Sequence, residues 1–369
     1  MKRIRYGRIA AIVAASALAL TACGNDPAGS SSTGGNGGSQ TQSNLSGKLA
    51  GAGSSAQESA VQAWIAGFGS ANPDVTVSYD PAGSGAGRTQ FGEGAIDFAG
   101  SDAALTAEER ATAKTRCGSD ALNLPLYISP IAVIYNLQGV SDLQLAPATI
   151  AGIFDRKITK WNDPKIKADN PSANLPDTQI TPVSRSDESG TTKNFTDYLS
   201  VTAGAAWPHK ASGTWPLKGG QSAQGTSGVV QTVQGGQGTI GYADHSKAGS
   251  LGVAKIKVGD QWVAPSAEGA AKVVEESPKE AGVPAGDLAI KIKRDTTTAG
   301  AYPLLLVTYT IICQKYSDAG KADLIKAFVG YIASDAGQKA AADAAGSAPI
   351  SSKIRTEVEA SLQTVGNGG

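Results

Sequence analysis

The chain has 369 residues, of which 46 are glycine, and its 32 lysine and arginine residues equal its 32 aspartate and glutamate residues. Four of the basic residues precede the first apolar segment, so the chain beyond it is mildly acidic, with 28 basic against 32 acidic residues. This balance argues against a nucleic-acid-binding protein, because no excess of positive charge is present to neutralise phosphates along a strand.

The first 22 residues have the pattern of an export signal. Basic residues precede an apolar segment, residues 9–20, which at 12 residues is too short to span a bilayer. The sequence "LTAC" then ends at Cys23 and resembles the lipobox of bacterial lipoproteins. We therefore expect residues 1–22 to be a signal peptide and Cys23 to carry a lipid; an ordinary signal with a chance cysteine is the alternative.

Residues 23–46 consist almost entirely of Gly, Ser, Asn, Gln and Thr. Such a segment cannot bury a core, so it is predicted to be a flexible tether. The longest apolar stretch beyond it, residues 302–313, has the length and the β-branched composition of a strand. About 320 residues follow the tether, which is enough for two domains of ordinary size.

Short apolar segments alternate with amphipathic ones from Gly47 onward, which predicts an α/β architecture. In residues 124–136, Pro125 and Pro130 interrupt an apolar stretch, so we predict two strands there rather than one. Thr106 and Glu109 have the spacing of a capping box at a helix start. The other predicted strands are residues 75–79, 95–101, 238–244 and 302–312, and the other predicted helical stretches are residues 56–69, 147–154, 192–199, 228–234, 267–276 and 321–345.

Cys117 and Cys313 are the two cysteines beyond the signal region. In an exported protein such a pair favours a disulfide over two buried thiols. A metal site is not expected, because His209 and His245, the only two histidines, lack ligand spacing. Neither histidine has an obvious partner in the sequence, and no nucleophile motif or phosphate-binding Walker loop is present. We therefore expect a protein that is not an enzyme.

Three stretches rich in glycine and hydroxyl residues lie at the starts of predicted helices, at residues 51–59, 81–91 and 186–195. Each would present backbone N–H groups at the positive end of a helix, where an anion is stabilised. One such stretch alone is more often a helix cap. Three of them, each after a strand, indicate an anion site at the carboxyl edge of a parallel sheet.

Two acidic residues, Asp187 and Asp102, lie within or close in sequence to these stretches. Arg185 and Asp187 are two apart in an extended stretch, so their side chains can face the same side and pair. Asp102 ends a predicted strand, where it is either a turn cap or an acceptor for a proton carried by the anion. A carboxylate beside an anion is unfavourable unless the anion is protonated.

The motifs "GAGSS", "GSGAG", "DFAGSD", "ITKWNDPKIK", "RSDESGTT", "GTIGYAD" and "YPLLLVTYT" resemble those of PstS-type phosphate-binding proteins, which serve bacterial ABC phosphate importers. The resemblance runs from about Gly47 to near the C-terminus and is greatest with the lipoproteins of high-GC Gram-positive bacteria. It implies a two-lobed, periplasmic-binding-protein-like fold of type II, in which each lobe is a mixed sheet flanked by helices. Residues 47–127 with 302–369 would form one lobe and residues 128–301 the other, with a hinge near Tyr127 and Ala301.

The resemblance also implies a set of phosphate ligands, in which Asp187 holds Arg185 rather than touching the anion. This sequence departs from the family at Ala56, where some members have an aromatic residue, and at Gly85, where some have a second serine. The implied ligand residues are Ser55, Ala56, Ser84, Asp102, Arg185, Ser189, Gly190 and Thr191.

By resemblance, the chain is a lipid-anchored, extracytoplasmic monomer that binds inorganic phosphate with high affinity and delivers it to the permease subunits of an ABC importer, without a cofactor or metal. Phosphate keeps a P–OH group near neutral pH and sulfate does not, so a buried Asp102 would favour phosphate. The alternatives are a secreted phosphatase on the same scaffold, a binder of another oxyanion, or an adhesion lipoprotein with a vestigial pocket.

Overall fold

The computed structural model describes residues 45–368. The predicted signal peptide, Cys23 and nearly all of the predicted tether lie outside the described residues. The helices are α1 (Glu58–Ala71), α2 (Ser84–Gly92), α3 (Ala107–Cys117), α4 (Pro147–Phe154), α5 (Pro164–Asp169), α6 (Gly190–Thr202), α7 (Gly225–Gly235), α8 (Ala267–Glu276), α9 (Ala319–Ala333), α10 (Asp335–Ala345) and α11 (Ser352–Gln363). The strands are β1 (Gly47–Gly53), β2 (Val75–Asp80), β3 (Phe98–Ser101), β4 (Ala121–Asn136), β5 (Gln144–Leu145), β6 (Thr181–Arg185), β7 (Gln221–Ala223), β8 (Thr239–Asp244), β9 (Gly252–Val253), β10 (Lys255–Val258), β11 (Gln261–Val263), β12 (Leu305–Cys313), β13 (Lys315–Tyr316) and β14 (Gly366–Asn367).

The main sheet is mixed and has the strand order β2-β1-β3-β12-β4-β8-β6-β7, with β9 also paired to β4. We call β1, β2, β3 and β12 the first half of this sheet and β6, β7 and β8 the second half. The strand β4 belongs to both, because residues 121–130 pair with β12 and residues 131–136 pair with β8. The predicted α/β architecture is confirmed.

The strand directions bring two sets of carboxyl ends together. The strands β1, β2 and β3 are parallel to one another, and β6 is parallel to β8. Since β12 is antiparallel to both β3 and β4, and β4 is antiparallel to β8, β6 runs opposite to β1. The carboxyl ends of the two halves therefore point toward each other and meet near the middle of β4.

The prediction of two strands in residues 124–136 is wrong, since β4 is a single strand of 16 residues. Pro125 lies where the register between β4 and β12 shifts, and Pro130 is the last residue of β4 that pairs with β12. A proline has no N–H to donate, and both prolines stand where the pairing of β4 changes anyway. The strand therefore accommodates them without ending.

Several local predictions are confirmed, and two need correction. Thr106 and Glu109 form the capping box of α3, and a disulfide joins Cys117 to Cys313 with 5.5 Å between their Cα atoms. The helical stretch 321–345 is two helices, because Ser334 ends α9 and caps α10. His209 does have a partner, since its Nε2 lies 2.7 Å from Oδ1 of Asp155. Within residues 45–368, every helix is too short or too polar to cross a lipid bilayer.

Candidate functional site

The three predicted anion-binding stretches are confirmed as strand–loop–helix junctions. They connect β1 to α1, β2 to α2 and β6 to α6. Because the carboxyl ends of the two halves face each other, the start of α6 meets the start of α2. The N–H of Gly85 donates to the carbonyl of Glu188 at 3.2 Å. The helix starts are therefore in contact across the middle of the sheet.

Asp102 lies at the centre of this contact and is only 4% exposed. Its Oδ1 accepts a hydrogen bond from Oγ1 of Thr308 at 2.8 Å, and its Oδ2 accepts one from Oγ1 of Thr191 at 3.3 Å. Its backbone N–H donates to Oγ of Ser84 at 3.1 Å. A Cβ atom on Gly190 would lie 2.5 Å from both Cβ of Asp102 and Oγ of Ser84, so the start of α6 is packed directly on them.

Burial raises the pKa of the Asp102 carboxyl above its ordinary value. Hydrogen bonds from Ser54, Thr308 and Thr191 and the positive charge of Arg185 act in the opposite direction but do not cancel it. The two carboxylate oxygens have four lone pairs in all, of which Thr308, Thr191 and Ser54 use three. The group therefore keeps the capacity to accept a further proton or hydrogen bond.

Arg185 ends β6, and its side chain is held by Asp187 as the sequence predicts. Its Nε donates to Oδ1 of Asp187 at 2.8 Å, and its Nη2 pairs with Oδ2. Burial raises the pKa of the Asp187 carboxyl, but the hydrogen bond and charge of Arg185 and the N–H of Gly225 outweigh it, so the net shift is downward. Asp187 is thus an ionised group that fixes the plane of the guanidinium.

The remaining residues of the predicted set lie at the same helix starts but have partners of their own. Oγ of Ser55 lies 3.1 Å from Oγ1 of Thr226 and accepts from its N–H at 3.0 Å. The N–H of Ala56 donates to Oγ of Ser54 at 3.2 Å. Oγ of Ser189 caps α6 by accepting from the N–H of Thr192 at 3.2 Å. The structure therefore brings Ser84, Asp102, Gly190 and Thr191 into direct contact, and engages Ser55, Ala56 and Ser189 in bonds beside them.

The sequence reading missed several residues of this region. Thr308 is 206 residues from Asp102 and lies in a buried strand, where nothing local signals its contact. Nδ2 of Asn194 donates to the carbonyl of Asp102 at 2.7 Å and to that of Gly190 at 3.0 Å, so it ties the two halves together. Arg88 is the one charged residue in the second glycine-rich stretch, residues 81–91, and this is the signal that could have identified it.

A cluster of aromatic side chains packs against the start of α6. The rings of Phe195 and Tyr242 are stacked with centroids 4.2 Å apart, and the hydroxyl of Tyr242 lies 2.7 Å from Oγ1 of Thr192. The same hydroxyl accepts from the backbone N–H of Arg185 at 3.2 Å. Phe154, Trp207 and Trp215 complete this cluster. A rigid base of this kind fixes Arg185 and α6 relative to each other.

The site combines helix N-termini, one guanidinium and one buried carboxyl group. Such a set can bind an anion by charge and N–H donation while it accepts a hydrogen bond from a protonated oxygen of that anion. In the part of the chain that the structure describes, no group of His, Cys, Asp and Glu side chains could hold a metal ion. Side chains and helix starts of this kind are suited to the recognition of an oxyanion.

Comparisons with known proteins agree with this geometry. A family model for the PBP superfamily domain matches residues 38–336. The phosphate-binding protein PstS 3 of Mycobacterium tuberculosis strain H37Rv is 35% identical over 341 residues, which cover 89% of this chain and 90% of that protein. PstS 2 of the same strain is 37% identical over 380 residues, which cover 99% of this chain and 100% of that protein.

Solved structures share the fold at lower identity. The periplasmic phosphate-binding protein PfluDING bound with phosphate gives a TM-score of 0.69 at 22% identity, covering 85% of this chain and 93% of that one. A putative phosphate ABC transporter substrate-binding protein from Clostridium perfringens with bound phosphate gives a TM-score of 0.58 at 20% identity, covering 81% and 98%. The predicted periplasmic-binding-protein-like fold is confirmed.

Proposed function

The chain belongs to the family of PstS-type phosphate-binding proteins, and we propose that it binds inorganic phosphate outside the cytoplasm and delivers it to the permease of an ABC importer. The observation that carries this proposal is the buried carboxyl group of Asp102 among helix N-termini. The names of the relatives describe binding proteins, and we propose a binding protein rather than a phosphatase.

Asp102 gives the proposed site its preference for phosphate. Both the monobasic and the dibasic forms of phosphate carry a P–OH group, which can donate to the remaining lone pair of Asp102. Sulfate carries no proton, so its oxygens would face that lone pair without a hydrogen bond between them. Leaving a buried polar group unpaired costs about 1–3 kcal/mol, which disfavours sulfate by up to about two orders of magnitude.

Arg185 and the helix starts supply the donors in this proposal. Nε and Nη2 of Arg185 are engaged by Asp187, which leaves Nη1 to donate to the anion. We propose that Ser84, Ser189, Gly190 and Thr191 donate from α2 and α6, and that Ser55 and Ala56 donate from α1. The last two would exchange their bonds to Thr226 and Ser54 for bonds to the anion.

We also retain the two-lobed organisation as part of the proposal, with residues 47–127 and 302–369 in one lobe and 128–301 in the other. The change of partner along β4, from β12 to β8 after Pro130, supports a hinge there. The chain passes between the proposed lobes twice, once in β4 and once near Ala301. The N–H of Ile131 donates to the carbonyl of Leu304, so these two connections lie side by side. Rotation about these two connections would close the two lobes over the anion.

Isothermal titration calorimetry of the purified protein with phosphate, arsenate and sulfate tests the proposal. We expect saturable binding of phosphate and arsenate, which both retain a proton, and far weaker binding of sulfate. Equal affinity for all three anions would contradict the role of Asp102, and no binding of phosphate would overturn the proposed function.

The lipid anchor at Cys23 belongs to the proposal as well. It rests on the "LTAC" sequence, which places a cysteine at the expected cleavage site. Mass spectrometry of the mature N-terminus should find an acylated cysteine, and Cys23→Ala should release the protein or leave it unprocessed. An N-terminus without an acyl chain would exclude the anchor and leave the binding proposal intact.

A further inference from the structure

An ion pair crosses the candidate site from the turn before α6 to the helix α2. Oε1 of Glu188 lies 2.6 Å from Nη2 of Arg88. Glu188 lies between Asp187 and Ser189, and Arg88 lies one turn into α2, whose first residue is Ser84. The pair therefore connects the two helix starts that face each other at Asp102.

Arg88 is fixed on the first half of the sheet. Its side chain is only 7% exposed, its Nε lies 2.7 Å from Oε1 of Glu109, and its Nη1 donates to Oγ of Ser101 at 2.9 Å. Burial lowers the pKa of the guanidinium, but Glu109 and Glu188 outweigh this effect and the net shift is upward. Glu188, at 46% exposure of its side chain, is the partner that reaches across from the second half.

Two glycines make room for the Glu188 side chain. A Cβ atom on Gly85 would lie 1.8 Å from Oε2 of Glu188, and one on Gly213 would lie 2.8 Å from Oε1. The backbone is held in the same place, since the N–H of Gly85 donates to the carbonyl of Glu188 at 3.2 Å and the N–H of Ser189 donates to the carbonyl of Gly213 at 3.0 Å. The absence of a side chain at position 85 is thus what allows Glu188 to reach Arg88.

We propose that Glu188 is a positioning residue of the anion site, which holds the start of α6 against α2 through Arg88 and thereby slows release of the bound anion. It does so without touching the anion, because its carboxylate is directed to Arg88. The contact exists only while the two halves are together, so it stabilises the closed arrangement and not the open one. This inference rests on the proposed function, since it concerns the residence time of the same anion.

Three variants separate this role from a general effect of Arg88. Glu188→Ala removes the contact, Glu188→Gln keeps an acceptor but removes the charge, and Glu109→Gln removes charge from the same guanidinium on the side where Arg88 is already fixed. In stopped-flow measurements we expect Glu188→Ala to raise the phosphate dissociation rate about three- to tenfold, with Glu188→Gln between it and the unaltered protein. The association rate should stay unchanged. Glu109→Gln should leave the dissociation rate unchanged.

A second measurement works without any anion. The N–H groups of Gly85 and Thr226 donate across the site, to the carbonyl of Glu188 and to Oγ of Ser55 respectively. Hydrogen exchange of these two amides in the ligand-free protein should be faster in Glu188→Ala and unchanged in Glu109→Gln.

The two measurements distinguish the possible failures. If phosphate binds but neither its dissociation rate nor the amide exchange differs between Glu188→Ala and Glu109→Gln, the positioning role of Glu188 is overturned and the proposed function stands. If the exchange of Gly85 and Thr226 accelerates while the unaltered protein binds no phosphate, the contact is real and the proposed function is wrong.

Discussion

Each half of the sheet brings one aspartate to the candidate site, and the pKa values of the two carboxyl groups are shifted in opposite directions. On the first half, burial dominates at Asp102 and raises its pKa. On the second half, Arg185 outweighs burial at Asp187 and lowers its pKa. Asp102 is fully buried and Asp187 is half-buried, so both the lesser burial and the direct contact with a guanidinium lower the pKa of Asp187 relative to that of Asp102. Asp102 is thereby suited to accept a proton, and Asp187 to hold a cation.

Removing the guanidinium of Arg185, which pairs with Asp187 and lowers its pKa, should have the largest effect on phosphate binding. Arg185→Ala removes a charge-assisted donor worth about 1.5–3 kcal/mol and leaves both aspartates without their counter-charge. We expect the phosphate affinity in calorimetry to fall at least about tenfold. Asp187→Asn is the matched control, because it keeps an oxygen acceptor for the guanidinium and should cost less. An unchanged dissociation constant in Arg185→Ala would place Arg185 outside the site.

Neutralising Asp102 should change the selectivity between phosphate and sulfate more than it changes the affinity for phosphate. Asp102→Asn keeps the shape of the side chain but offers an amide that can donate to an unprotonated oxygen. The ratio of phosphate to sulfate affinity should therefore shrink, even if both affinities change. Competition titrations measure this ratio. Asp287→Asn, at a buried aspartate bonded to Arg110 and Asn123, should leave it unchanged. If the ratio of phosphate to sulfate affinity is the same in Asp102→Asn and in the unaltered protein, Asp102 acts only as a turn cap.

The two aspartates should also give opposite dependences of stability on pH in the ligand-free protein. The folded-state pKa of Asp102 lies above its ordinary value of 3.8, so its contribution to the free energy of unfolding falls as the pH rises through the folded-state pKa. The folded-state pKa of Asp187 lies below 3.8, so its contribution is complete at neutral pH and is lost as the pH falls through that lower pKa.

Urea denaturation between about pH 3 and pH 7 tests this pair of signs. Relative to the unaltered protein, Asp102→Asn should gain stability as the pH rises. Asp187→Asn should show its full loss at neutral pH and a smaller loss at the acidic end. Parallel curves for all three proteins would mean that neither carboxyl group has a shifted pKa.

The smallest effect on the site should come from the disulfide. Cys117 and Cys313 join α3 to the end of β12, which both belong to the side of the first half. Replacing both by serine should cost roughly 2–4 kcal/mol of unfolding free energy and leave the phosphate dissociation constant unchanged. Thiol titration of the denatured, unreduced protein should find no free thiol within residues 45–368. A changed dissociation constant would show that the bridge also constrains the site.

What the sequence predicted well was local. The three glycine-rich helix starts, the capping box of α3 and the Arg185–Asp187 pair each depend on residues within a few positions of one another. The contacts that it missed are distant: Thr308 reaches Asp102 over 206 positions, and Glu188 reaches Arg88 over 100. Pro125 and Pro130 misled the strand prediction, because a proline ends a strand only where its missing N–H is needed, and that depends on partners far along the chain.

The path of the chain through the sheet has a consequence for the order of folding. Every strand of the second half, and the part of β4 that pairs with it, lies within residues 131–244, whereas the first half needs β12, which ends at Cys313. During synthesis from the N-terminus, β1, β2 and β3 are made early but lack β12 for some 200 residues of further chain. The half that is synthesised first is therefore completed last. Because its contacts are so distant along the chain, β3 and the start of β4 remain unpaired edges until β12 is made.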